Sequence, residues 1–449
     1  MAPSKGERFT DRLEQLEEEN LEQYALKSRS RRVQLGPRLF REGKVGARLE
    51  YRTEYHRDRD RIVWSKSFKR LQNKTQVFPH YVEDHYKRRL THSLEVTQIA
   101  TTVARALRIN EVATEAIARG HDLGHTPFGH AGEEALNEIL KDKCKDHNID
   151  PAKCPVPIFG FDHCVHAIEV VSRIEQEYGH ETGHGGLNLT FDVRDGILKH
   201  MFDRNPDPEK PLSTVSGAVK PQEYRVFGDN KGSLEAQCVY FADKLAYLLG
   251  DIEDGLRSDI LRCPDIRKED FYDALQDYYA KYRKKASKIE LVSKDSFPGF
   301  RSKVLTVLIL DCIDNALANL RRHAFPTVQD VLSHRKRIVW VGDRLAKAIR
   351  DFYDKWVVRH MFVHNDVVAC AFKAKNIVRD LFDAYYGNER LINEHYRQHC
   401  KEAYKDVCKS DSDPVFRLIL VRNYVAGMTD SYATQQHARL FMSSERISV

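Results

Sequence analysis

An all-α fold is what this chain predicts, on three observations. Apolar residues recur at three- and four-residue spacing through most of it, as in Val96, Ile99, Ala100, Val103 and Leu107. Segments with the in-out alternation of a strand are nearly absent. Helix-boundary residues stand where the apolar stripes begin and end, Asn110 before one and Gly124 after it.

In chain order, residues 1–35 read as a polar N-terminal arm with a short acidic helix around Arg12–Asn20. The basic cluster Lys27, Arg29, Arg31 and Arg32 reads as a solvated part of that arm. Residues 36–260 form the core. Its first clear stripe runs from Thr91 to Arg108. Asn110 caps the next helix, which passes through Ala113, Ala116 and Ile117 to His121 and Asp122 and stops near Gly124. Thr126 and Pro127 are the cap and first turn of a helix through Glu133, Leu136 and Ile139. Pro151, Pro155 and Pro157 mark a loop, residues 205–233 mark a longer one, and Leu234–Leu256 is helical. Residues 261–449 form a C-terminal helical region packed on the core, with amphipathic stretches at Arg301–Arg322 and Arg337–Val363.

Composition narrows the class. With 449 residues, 41% hydrophobic and 31% charged, the chain suits a globular protein with one large domain or a core with appendages. It has no apolar run of about 18 residues and no apolar leader, so no membrane partner and a cytoplasmic location are expected. Nine cysteines, an odd number, read as reduced thiols. Cys144, Cys154 and Cys164, near His147 and His163, raise a structural zinc site. Their ten-residue spacing lacks the short Cys-x-x-Cys chelate, which weighs against it. A net charge of +6 suits an anionic substrate without implying nucleic acid.

Four residues carry the chemistry: His92, the adjacent pair His121 and Asp122, and Asp243. Two imidazoles and two carboxylates suit one divalent cation and leave coordination positions open, the ligand order of a metal-dependent phosphohydrolase. Adjacent helical side chains point about 100° apart, so His121 and Asp122 reach one ion only from a helix end or an irregular turn. Asp243 interrupts the apolar run VYFADKLAYLLGDI, where a charge is costly unless compensated. Tyr247, Asp251 and Asp254 follow it close to the same face.

At this point the residues resemble a family. Arg89–His92 (RLTH), His121–Glu133 (HDLGHTPFGHAGE) and the later Asp243 are similar to the HD-domain deoxynucleotide triphosphohydrolases, the bacterial dGTPases. Supporting segments lie at 57–78, 188–200, 233–256 and 421–433, so the resemblance spans most of residues 51–433. It implies an HD-domain helical bundle core with additional C-terminal helices. It implies His92, His121, Asp122 and Asp243 as metal ligands, with His125, His130 and Glu133 lining the reaction centre. It further implies phosphate contacts from Arg89 and Lys244, a deoxyribose grip from Gln76, Tyr247 and Asp251, and substrate binding by His163. The family block F-E-H-N-x-Q has Cys164 and His166 in place of its Asn and Gln here.

The activity implied is hydrolysis of a dNTP, dGTP favoured, to the deoxynucleoside and tripolyphosphate, controlling dNTP pools. The cofactor implied is manganese or magnesium, with iron, cobalt, nickel or zinc as alternatives. Implied partners are a dNTP substrate, an activating dNTP, single-stranded DNA and further copies of the chain, as a tetramer or hexamer. Two assignments stay open for proton transfer: His130 held by Glu133, or His125 as acid with His130 assisting water. Rival readings are another HD phosphohydrolase, a nucleotidase or a guanosine tetraphosphate hydrolase, and a nucleotide-sensing or single-strand-binding protein.

Overall fold

The computed structural model describes residues 9–29, 51–75, 87–150, 158–176, 185–200, 230–282, 288–408, 410 and 413–442. Among them there is no strand, only a lone antiparallel bridge between Thr75 and Arg88. The expected all-α architecture is the one observed.

The N-terminal part contributes α1 (Phe9–Asn20), α2 (Glu54–Trp64), α3 (Arg89–Ala106), α4 (Glu111–Gly120), α5 (His130–Asp146), α6 (His163–Glu169), α7 (Phe191–Lys199) and α8 (Leu234–Arg257). Asn110 caps α4 as expected, its side chain accepting from Ala113 N at 2.9 Å. The long, almost wholly buried α8 packs on α3 and α4, and α4 packs on α2 and α7. The stripe Val96, Ile99, Ala100 and Val103 thereby meets Val239, Ala242 and Ala246 in one apolar core.

The C-terminal part adds α9 (Asp270–Tyr282), α10 (Phe297–His323), α11 (Asp343–Arg350), α12 (Asn365–Gly387), α13 (Glu394–Ala403), α14 (Pro414–Ala426) and α15 (Asp430–Phe441). Helices α9 to α11 join the first core. Helices α12 to α15 build a second one with Phe128 and with Leu136 and Leu140 of α5.

Three local expectations are corrected. Helix α5 starts at His130 and not at Pro127, because Phe128 and Gly129 take left-handed φ angles of 63° and 59°. The stretch from Arg337 to Val363 is no single helix. It is irregular to Gly342, with bends at 338–340, helical over 343–350, widened to a π-turn at Asp351–Val357, and α-helical again at Val358–Met361. The N-terminal arm is not simply solvated. Ala25, Leu26, Lys27 and Ser28 are buried, Ser28 N donates to Glu17 at 2.7 Å, and Leu26 N donates to Glu235 at 2.9 Å. Gln76, Arg31, Arg32, residues 151–157 and most of the 205–233 loop lie outside the described residues.

The turn between α4 and α5 is fastened by distant residues. Asp430 accepts from Phe128 N at 2.9 Å and from Thr75 N at 2.8 Å. The buried Lys74 ammonium donates to the carbonyls of His125 and Ala426. Gly124 sits against α6 with no room for a side chain: a Cβ there would lie 1.9 Å from His163 O and 2.3 Å from Ala167 N. Both neighbours are backbone and cannot swing aside. Gly124→Ala is therefore expected to cost about 3 kcal/mol or more. Urea unfolding of the variant checks this; a midpoint equal to that of the wild type would contradict the packing.

Candidate metal centre and the groups around it

Helix α3 supplies His92 from its first turn, the turn after α4 supplies His121 and Asp122, and the middle of α8 supplies Asp243. All four are buried. His92 Nε2 lies 2.9 Å from Asp243 Oδ1 and 3.9 Å from Asp122 Oδ2. His121 Nε2 lies 3.4 Å from Asp122 Oδ1 and 3.7 Å from Asp243 Oδ1. Because α4 ends at Gly120, His121 and Asp122 fall in a turn, where neighbouring side chains can point the same way.

The protonation pattern suits a cation. His121 Nδ1 is 2.6 Å from Ala118 O, and a carbonyl only accepts, so the ring proton sits on Nδ1. That leaves His121 Nε2 with a lone pair in the cluster, buried and without a hydrogen-bond partner. Burial pushes His92 below the usual histidine range, towards the neutral ligand form. Burial works against the Asp122 charge, but His121, Arg89 and His125 outweigh it and hold the carboxyl well below its ordinary range. Asp243 is likewise held low against burial, chiefly through its hydrogen bond with His92. These two ionised carboxylates and two imidazoles fit a divalent ion.

A second group of side chains adjoins the first. Glu133, in the first turn of α5, has one oxygen 3.0 Å from His130 Nδ1 and the other 2.9 Å from His163 Nδ1. One carboxylate thus fixes two imidazoles, with both Nε2 atoms facing away from it. Burial opposes its charge, yet His163 and His130 hold its carboxyl well below the usual range. His163 is pushed well above the histidine range: burial lowers it, while the charges of Cys164 and Glu133 raise it. Burial pushes the Cys164 thiol itself up to about 12, so at neutral pH Glu133 is the partner that matters. His125 stacks on His163 at 3.9 Å and places Nε2 3.1 Å from Asp122. Burial, then Arg89 and His163, push it well below its ordinary value. The His130 side chain is 42% exposed and His125 only 3%.

Arg89 is buried beside these four residues, with Nη1 3.1 Å from Asp122 and its Nε unpaired. Lys244 is half-buried, its Nζ 5.8 Å from the Tyr240 ring. Tyr247 and Asp251 lie one and two turns beyond Asp243 on α8. They meet a residue that the sequence reading did not single out: Tyr353 donates to Asp251 at 2.7 Å and leans on the Tyr247 ring at 5.3 Å. Tyr353 lies in the π-turn, a feature enriched at functional sites but not visible in spacing alone. His200, just past α7, was also not singled out, and its ring is 4.9 Å from that of His121. His166 donates to Gly124 O at 2.9 Å, steadying the turn of the motif. Cys144 and Cys164 belong to different cores, so these two do not converge on a zinc; Cys154 lies outside the described residues.

Residues 89–248 match the HD domain, and residues 342–439 match the phosphohydrolase-associated domain. The second match begins at Gly342, next to α11, and covers the helices of the second core. Several relatives carry the name deoxyguanosinetriphosphate triphosphohydrolase-like protein. One from Bordetella pertussis is 36% identical, over 87% of this chain and 91% of its own. Those from Ralstonia nicotianae and Brucella canis are 34% and 33% identical, each over 87% of this chain and over 88% and 90% of their own.

The Tyr247, Asp251 and Tyr353 group carries a pH signature. Burial pushes the Asp251 carboxyl up to about 8, with Asp254 adding to the rise and Tyr353, Lys87 and Tyr247 opposing it. Folded Asp251 therefore binds a proton that the unfolded chain releases between about pH 4 and the folded value, and stability falls as pH rises through that window. Asp251→Asn escapes this loss. Its stability relative to wild type is expected to rise by about 1.4 kcal/mol per pH unit between pH 5 and 7.5. Denaturant titrations of both proteins across that range measure the difference, and a pH-independent gap would refute a neutral Asp251.

Proposed function

This chain belongs to the deoxyguanosinetriphosphate triphosphohydrolase-like family of HD-domain phosphohydrolases, and on that footing we propose that it hydrolyses dNTPs to deoxynucleoside and tripolyphosphate. What carries the reading is the convergence of His92, His121, Asp122 and Asp243, with the unpartnered His121 Nε2 aimed among them. These residues would hold the divalent cation, manganese or magnesium in our reading. When bound, such an ion neutralises charge on the α-phosphate and activates water. The name carried by the relatives supports dGTP as the favoured substrate and control of dNTP pools as the role.

The protein's own side chains supply the rest. The leaving 5′-oxygen needs a proton, and His130 is the better-placed donor. Its Nδ1 is tied to Glu133, which turns Nε2 away from that carboxylate, and its side chain is more exposed than that of His125, which is committed to Asp122. Protein packed around the ring lowers the His130 pKa, while a bound polyanion favours the imidazolium. His163 keeps Glu133 ionised and so fixes the His130 tautomer. Arg89 and Lys244 face the phosphates with positive charge. Tyr247, with Asp251 and Tyr353, takes the deoxyribose: a ring under the 2′-carbon excludes a hydroxyl, and the carboxyl binds the 3′-hydroxyl.

Ion-exchange chromatography of the products from each dNTP, with manganese or magnesium, tests the reaction. Tripolyphosphate is expected; orthophosphate or pyrophosphate would reassign the chain to another phosphohydrolase activity. Asp243→Ala should lose both bound metal and turnover. His130→Ala should keep its metal while kcat drops by about 10²- to 10⁴-fold; an unchanged kcat would remove His130 from proton transfer.

A further inference from the structure

We propose that His163, Cys164 and His200 form a second cation site beside the HD centre, with a preference for zinc. The three side chains come from the start of α6 and the end of α7, are buried, and bring their donor atoms within 4.8 Å of one another. Cys164 Sγ is 3.5 Å from His163 Nε2 and 4.0 Å from His200 Nε2. With Zn–N near 2.05 Å and Zn–S near 2.3 Å, a tetrahedral ion sets this sulfur–nitrogen edge at about 3.6 Å. One observed edge matches, and the other closes with a shift of a few tenths of an ångström.

Both imidazoles are already oriented for the task. His163 Nδ1 faces Glu133 Oε1 at 2.9 Å, and His200 Nδ1 donates to Ile197 O at 2.6 Å. Each outer partner keeps a proton on Nδ1 and turns Nε2 towards the sulfur, the way ligating histidines are held in zinc sites. The bond to Ile197 O leaves His200 Nε2 as the lone-pair nitrogen, and that atom lies 4.0 Å from Cys164 Sγ and within 4.8 Å of donor atoms of His121 and Asp122. A thiolate with two imidazoles is a softer donor set than the imidazole and carboxylate set of the HD centre. It selects zinc or cobalt over magnesium or manganese, so the two sites sort metals by ligand chemistry. Binding must remove the thiol proton and also the second proton of His163, which is held well above the histidine range, so affinity should fall as pH falls. The sulfur is a feature of this chain, because the family block it resembles has asparagine at that position.

The site is tested by metal binding alone, independently of turnover. Full-length protein, stripped with chelator and kept reduced, is titrated with cobalt(II). A thiolate-to-cobalt charge-transfer band in the near ultraviolet is expected, and one equivalent of zinc should erase it. The band should persist in Asp243→Ala and vanish in Cys164→Asn, which restores the family residue and should bind one zinc fewer per chain. His200→Gln serves as a second variant, and circular dichroism establishes folding for each. Failure of the folded wild type to give the band, or a band that survives in a folded Cys164→Asn or His200→Gln variant, would overturn the proposal and leave Cys164 a packing residue.

Discussion

Everything in the centre of this molecule answers to one cost: Asp122 and Asp243 are carboxylates buried in an apolar helical bundle. Desolvation alone would protonate them. Arg89, His92, His121 and His125 surround them closely enough to hold both ionised. Asp122 bears most of this, with contacts to Arg89 at 3.1 Å and His125 at 3.1 Å and to both proposed imidazole ligands. Buried charges compensated in this way contribute little net stability. They provide a preorganised negative pocket that a divalent ion can enter without first arranging its ligands.

The same economy governs Glu133. It lies one helical turn from His130, faces His163 across the fold, and is held ionised by both. Its position depends on where α5 begins, and this depends on the left-handed pair Phe128 and Gly129. Such backbone needs external support, which Asp430 gives through Phe128 N and Lys74 through the His125 carbonyl. The C-terminal helices thus support the site without supplying any of the four proposed ligands.

Burial of a second ion pair extends this coupling. Arg422 on α14 donates to Glu169 at the end of α6 at 2.7 Å, and Tyr404 donates to the same carboxylate at 3.1 Å. Removing either partner would strand a charge in the interior. Helix α6, which presents His163, Cys164 and His166, is therefore clamped between the HD core and the phosphohydrolase-associated helices. The π-turn brings Tyr353 to α8 from that other part of the chain, so the proposed sugar pocket also draws on both.

Much of this was legible in the sequence. Apolar stripes specify helices because the 3.6-residue period is a local property, and α3, α4, α8 and α10 appear close to the bounds their stripes indicate. Asp243 was conspicuous as a charge in an apolar run. The start of α5 was misjudged because proline after threonine is a sound helix-start signal, while the left-handed Phe128 depends on Asp430, 302 residues away. Tyr353 and His200 carry no spacing signal at all. Local sequence determined which segments are helical and which side chains could bind a cation. The crossing of α3, α8 and the turn after α4 decided which of the 20 histidines face one another, because distances between helices are fixed by packing and not by periodicity.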